Sequence, residues 1–125
     1  MFKENKAFSG FSVNDLGKAK QFYGEVLGLQ IEAKPEWLEL RISGSNPVLV
    51  YPKPDHQPAT FTILNFPVKD IGQTVAGLKK LGIRFESYQQ PEFRTDENGI
   101  TAGNPRVAWF KDPAGNILSV VEDKR

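Results

Sequence analysis

The 125-residue sequence has no cysteine, and its one histidine is the only imidazole. The first absence removes disulfides, thiolate metal sites and cysteine nucleophiles together. A lone imidazole, His56, cannot build a histidine-rich metal centre by itself. Long apolar runs are missing too: the longest, Val48 to Tyr51 and Val107 to Phe110, span four residues each, against the ~20 that a membrane-crossing helix needs. Charge of one sign is also lacking, since 16 basic against 15 acidic side chains leave a net charge of +1. Neither a nucleic acid nor an anionic membrane surface is therefore an expected partner. The 11 glycines are scattered at turns and helix ends rather than clustered into a phosphate-cradling loop. No nucleophile-elbow pattern surrounds any serine. The opening stretch, Met1 to Lys6, has none of the apolar character of a secretory signal, and a cytoplasmic location is expected.

What is present suits one globular domain. Hydrophobic residues make up 39% and charged residues 25% of the chain, with 9 Phe, 3 Tyr and 2 Trp, which is enough apolar material for a core at this length. The two halves repeat one another. Phe11 to Glu32 runs parallel to Phe66 to Glu86, with Phe-Ser-Val-Asn-Asp-Leu-Gly answered by Phe-Pro-Val-Lys-Asp-Ile-Gly. Each copy reads as strand, Asp N-cap (Asp15, Asp70), amphipathic helix, Gly C-cap (Gly28, Gly82) and strand. Leu16, Ala19, Phe22, Tyr23, Val26 and Leu27 form the apolar face of the first helix, and Ile71, Val75, Leu78 and Leu81 that of the second. Strands are expected over 7–13, 29–33, 37–42 and 48–51, then over 60–68, 83–88, 107–110 and 117–122. Turn chemistry separates them, including Ser43-Gly44-Ser45-Asn46-Pro47 and Asp112-Pro113-Ala114-Gly115-Asn116. The fold class is therefore α+β: tandem βαβββ modules, about 1–53 and 59–125, joined by a proline-rich linker over 52–58 within a single domain. His56 falls in that linker and reads as a solvated loop side chain.

The run Val13-Asn14-Asp15-Leu16, Phe22-Tyr23, Val26-Leu27-Gly28-Leu29 and the later run Trp109-Phe110-Lys111-Asp112-Pro113-Ala114-Gly115-Asn116 resemble the vicinal-oxygen-chelate superfamily. That superfamily includes glyoxalase I, extradiol dioxygenases, and fosfomycin- and bleomycin-resistance proteins. The resemblance implies a curved sheet with outer helices and a ligand cavity on the concave face. It also implies that metal-dependent members hold a divalent ion with His, Gln or Glu at four strand positions. Those positions fall here on Phe8, on Leu49 (Tyr51 if the register slips by two), on Ile63 and on Ser119. Three of these side chains have no lone pair and the fourth offers only a neutral hydroxyl. No metal or other cofactor is expected.

Strand alternation assigns the faces. With Phe8 and Ile63 turned into the cavity, Gly10, Ser12, Phe61 and Asn65 follow them, while Phe11, Val13, Leu64 and Phe66 face the helices. Leu38, Leu40 and Ile42 form an apolar face, which leaves Trp37, Glu39 and Arg41 for the ligand or its entrance. A solvated Glu39–Arg41 pair on an edge strand is the plainer alternative. Trp109 and Ser119 complete a mostly aromatic pocket. The unpatterned stretch from Gln89 to Arg106, with Arg94 and Arg106, reads as a flap over the cavity mouth. Two functions compete: a metal-independent protein binding a small aromatic or amphipathic molecule, and an enzyme of the same superfamily using a shifted metal site or acid/base chemistry. A homodimer is expected, because half-barrels leave strand edges to be covered.

Overall fold

A computed structural model of the chain describes residues 1–124. They divide into two compact units, Met1–Pro58 and the remainder from Ala59.

In the first unit, β1 (Gly10–Val13) leads into a helix, followed by β2 (Gln30–Ala33), β3 (Leu38–Arg41) and β4 (Val48–Pro52). The sheet order is β1-β4-β3-β2, with β1 parallel to β4 and the other pairs antiparallel. The helix starts where the sequence places it: the Asp15 side chain accepts from the Lys18 N–H at 3.0 Å. It is α-helical over α1 (Leu16–Lys20) and widens to a π-helical turn over Gln21–Val26, which the spacing of apolar residues does not disclose. Tyr23 is fully buried there against Phe22 and Phe11. Gly28, at φ +74°, then reverses the chain. Phe11, Val13, Leu38, Leu40, Val48 and Val50 are buried on one face of the sheet with Ala19 and Tyr23. The alternate residues stand on the other, open face.

The second unit repeats the plan with β5 (Thr62–Val68), α2 (Ile71–Lys80), β6 (Val107–Lys111) and β7 (Ile117–Glu122). Asp70 caps α2 by accepting from the Gln73 N–H at 3.0 Å. The sheet has three strands in the order β5-β7-β6, and β5 carries a register irregularity between Thr62 and Leu64. The strand expected over 83–88 does not form. Phe85 makes a single bridge to Phe110, and the Glu86 N–H donates to the Trp109 carbonyl. The cause lies in the segment that follows: Ile100 bridges Ala108 and the Thr101 N–H donates to Val107 O, so this excursion takes the part of the β6 edge that a full strand needs. Gly99 lets the two competitors touch. At φ +86°, a Cβ there would lie 2.8 Å from that of Phe85.

The expected flap over 89–106 is likewise a stitched excursion. Thr95, Gly99, Ile100 and Thr101 are buried, Thr95 and Tyr88 exchange backbone and side-chain hydrogen bonds, and the Asp96 carboxylate accepts from the Asn98 and Ile100 N–H groups. Among the described residues no helix is long and apolar enough to cross a membrane.

Candidate functional site

The open face of the four-stranded sheet carries a groove that gathers several of the expected residues. Its registers set Glu32, Glu39, Leu49 and Gly10 in one row, and Tyr51 beside Ser12 in the next. One further step along β3 brings Trp37 alongside Tyr51. Phe8, Trp37, Glu39, Leu49 and Tyr51 line a groove of about 1010 Å³ on this face, with Lys6, Glu36, Asn46 and prolines at 35, 47 and 52. Leu49 and Tyr51, two residues apart on β4, both lie on this face and both line the groove. Three large aromatic side chains are left uncovered here, Phe8 at 66%, Tyr51 at 39% and Trp37 at 36% exposure. The Asn46 amide donates to the Ala7 carbonyl at 2.6 Å and ties the loop before β4 to the segment carrying Phe8. The turn signal Ser43-Gly44-Ser45-Asn46-Pro47 does not disclose this tie.

Polar groups at the groove are already organised. The Trp37 indole N–H donates to Glu39 at 3.2 Å, and Arg41 lies 3.7 Å from the same carboxylate. Arg41 does not line the groove; it hydrogen-bonds Glu32, which also takes a 2.7 Å bond from Lys34. Lys34 and then Arg41 hold the Glu32 carboxyl down to about 2. Arg41 is therefore part of an exposed charge ladder centred on Glu32, on an inner strand of the sheet rather than the edge strand expected, and exposed pairs of this kind contribute little to stability.

His56 departs most from expectation. Rather than a solvated side chain, it is half-buried, and its Nδ1 lies 2.6 Å from the Ser12 hydroxyl. The linker is folded back to make this possible. The Lys53 N–H donates to Val13 O, extending the β1–β4 pairing, and the His56 N–H then closes a four-residue turn onto Lys53 O at 3.0 Å. Pro54 occupies the second position of that turn, where its fixed φ is pre-set. The Lys-Pro-Asp-His tetrapeptide was the available signal.

The remaining expected residues belong to the second unit. Asn65, Ser119 and Trp109 form one row across its sheet. Ser119 is fully buried, donating to Asn65 Oδ1 at 2.6 Å. Trp109 packs edge-on to Tyr88 and tilted against Phe93, with centroids 5.3 and 5.5 Å away. Ile63 lies at the β5 irregularity and Arg94 is exposed. Arg106 is not brought to Trp109. By strand parity it shares the side of buried Ala108 and Phe110, where it grips Glu122 through two bonds of 3.2 and 3.1 Å. Glu122 also accepts from the first N–H of α2, on Ile71, and both partners, Arg106 first, hold its carboxyl below the usual range.

A divalent cation has no fitting donors at the four positions the resemblance marks. Phe8, Leu49 and Ile63 offer none, and Ser119 offers only a neutral hydroxyl, which gives its proton to Asn65. Among the described residues no group of three or more His, Asp or Glu side chains is placed to hold a metal.

Solved structures share this architecture. A glyoxalase family protein from Enterococcus faecalis superposes with a TM-score of 0.70 at 22% identity, over 98% of this chain and 100% of its own. TnmS3, an antibiotic binding protein from Streptomyces sp. CB03234, gives 0.67 at 23%, over 98% of each chain. The fosfomycin resistance protein FosX from Listeria monocytogenes gives 0.69 at 15%, over 94% of this chain and 91% of its own. No curated protein matches significantly in sequence. The superfamily's sequence profile matches residues 8–120, nearly the whole length, and the chain belongs to the glyoxalase/bleomycin resistance protein/dioxygenase superfamily.

Proposed function

We propose that this protein binds a small molecule bearing an aromatic or amphipathic surface in the groove of its first unit, without a metal. The observation that carries the reading is the cluster of Phe8, Trp37 and Tyr51, uncovered together in a groove of about 1010 Å³. Exposed aromatics gathered in a concavity with few polar anchors are the usual make-up of a small-molecule site. Glu39, held by Trp37, supplies a fixed acceptor for a ligand donor. The names of two structural neighbours, an antibiotic binding protein and a fosfomycin resistance protein, are in keeping with this class of ligand. The absence of metal-competent donors at the marked positions favours binding over metal-dependent chemistry. Exposed Phe8 and Phe61, at 66% and 67%, favour a homodimer in which a second copy covers apolar surface.

The test is a fluorescence screen of aromatic compounds against variants with one indole each, Trp109→Phe and Trp37→Phe. Hits should quench Trp37. Replacing Trp37 or Tyr51 by Ala should weaken their binding about 10- to 100-fold, the loss of a rigid stacking face. Hits that bind a Trp37→Ala, Tyr51→Ala double variant as tightly as the parent would place the ligand elsewhere.

A further inference from the structure

In the Ser12–His56 contact a hydroxyl meets the chain's single imidazole at 2.6 Å. Its setting is specific. Ser12 stands on the open face of β1, in register with Tyr51 of the groove. The imidazole is delivered by a turn with two backbone hydrogen bonds behind it, Lys53 N–H to Val13 O at 2.9 Å and His56 N–H to Lys53 O at 3.0 Å. Asp55, its neighbour in sequence, is engaged by Lys53 at 2.6 Å. At 2.6 Å the hydroxyl and Nδ1 are within the range of a strong hydrogen bond between a nucleophile and its base. With Nε2 carrying the ring proton, the hydroxyl donates to Nδ1, and an imidazole is the side chain best suited to exchange protons near neutral pH.

We propose that Ser12 is a nucleophile activated by His56, accepting acyl groups from aryl esters whose ring lies in the adjoining groove. The Ser12 Oγ–C bond forms as the hydroxyl proton passes to Nδ1 of His56. The aryl C–O bond then breaks, and the same proton goes to the departing phenol oxygen. Water repeats the route to release the carboxylic acid, with no oxidation or reduction in either half. The proposal rests on the groove reading only for the position of the aryl ring. The proton transfer needs nothing beyond the pair itself.

The probe is p-nitrophenyl acetate, followed by release of nitrophenol and by peptide mass mapping. The expected result is a burst of nitrophenol with one acetyl group on the peptide carrying Ser12. Ser12→Ala should abolish that adduct. His56→Ala should slow its formation about 100-fold or more, the usual contribution of a positioned general base. A base role carries a signature that a merely structural one does not: labelling of Ser12 by an alkyl fluorophosphonate should fall in His56→Ala and recover when free imidazole is added. Circular dichroism establishes that the variants are folded, and Ser12 mapping in the unaltered protein stands even if one of them is not. No adduct on Ser12, or equal rates in His56→Ala, overturns the proposal. Loss of acylation with Trp37 quenching retained would sink this inference alone, whereas acylation without quenching would support it and sink the groove reading.

Discussion

Replacing Asp112 by alanine tests whether the most recognisable motif in the chain serves folding or chemistry. In Asp112-Pro113-Ala114-Gly115-Asn116, Asp112 Oδ1 accepts from the Ala114 N–H at 2.9 Å and the Asn116 N–H at 2.8 Å, while Oδ2 takes the Asn116 side-chain amide at 3.0 Å. Asp112 and Asn116 are 5% and 2% exposed. Alanine would remove the carboxylate acceptor of two deeply placed donors of Asn116, at roughly 1–3 kcal/mol each, while the half-exposed Ala114 N–H can turn to water. The expected loss is about 3 kcal/mol, or on the order of 10 °C in Tm for a chain of this size. Asp112→Asn should cost less, about 1–2 kcal/mol, since Oδ1 survives and only the Oδ2 contact becomes donor against donor. Urea unfolding followed by tryptophan fluorescence measures the effect as a shift of the midpoint to lower denaturant. An Asp112→Ala midpoint within about 0.5 kcal/mol of the parent would refute the reasoning and free the motif for another role.

Other expectations follow from the same geometry. Glu122 has its carboxyl held low by Arg106 and the Ile71 N–H, so its contribution is present above the unfolded carboxyl's pKa, about 4.3, and is lost as pH falls through the folded value. Glu122→Gln should therefore be less stable than the parent at pH 7, with the gap closing below about pH 4 in thermal melts; a gap independent of pH would contradict this. Elemental analysis after purification without added metal should find no stoichiometric zinc, nickel, manganese or iron, and tightly held metal would count against the groove reading. Sedimentation at micromolar concentration should show a dimer, and a species of only 14.0 kDa would remove that proposal.

Legibility in the sequence followed the range of the interactions involved. The caps at Asp15 and Asp70 and the glycine stops at Gly28 and Gly82 are local, set by residues three or four apart, and the chain reads them as written. Alternation along β1, β3 and β4 was equally plain, because one face is buried and the other is not. What escaped depends on competition between segments. Nothing in Ile83 to Tyr88 says that Ile100 and Thr101 will claim the same edge of β6. Nothing in Arg41 says that Glu32, on the neighbouring strand, will take its guanidinium. The candidate groove was legible as a face and not as a set of partners: Phe8, Trp37, Glu39 and Tyr51 line it together, but His56 reaches Ser12 only because a turn folds the linker back on β1.

The repeat sharpens what the two units have in common and where they part. Both place a helix over one side of a sheet and keep aromatic and small polar side chains on the other. In the second unit the polar pair on that face, Ser119 with Asn65, joins two strands of one sheet, and the serine is fully buried. In the first unit the residue in register with Ser12 on β4 is Tyr51, and the Ser12 hydroxyl is met by an imidazole from outside the sheet. A hydroxyl bonded to an amide is a structural link, since an amide does not take up its proton. A hydroxyl bonded to an imidazole can give that proton away. The divergence between the halves therefore falls on a hydroxyl–imidazole pair able to pass a proton, on the unit that also carries the aromatic groove.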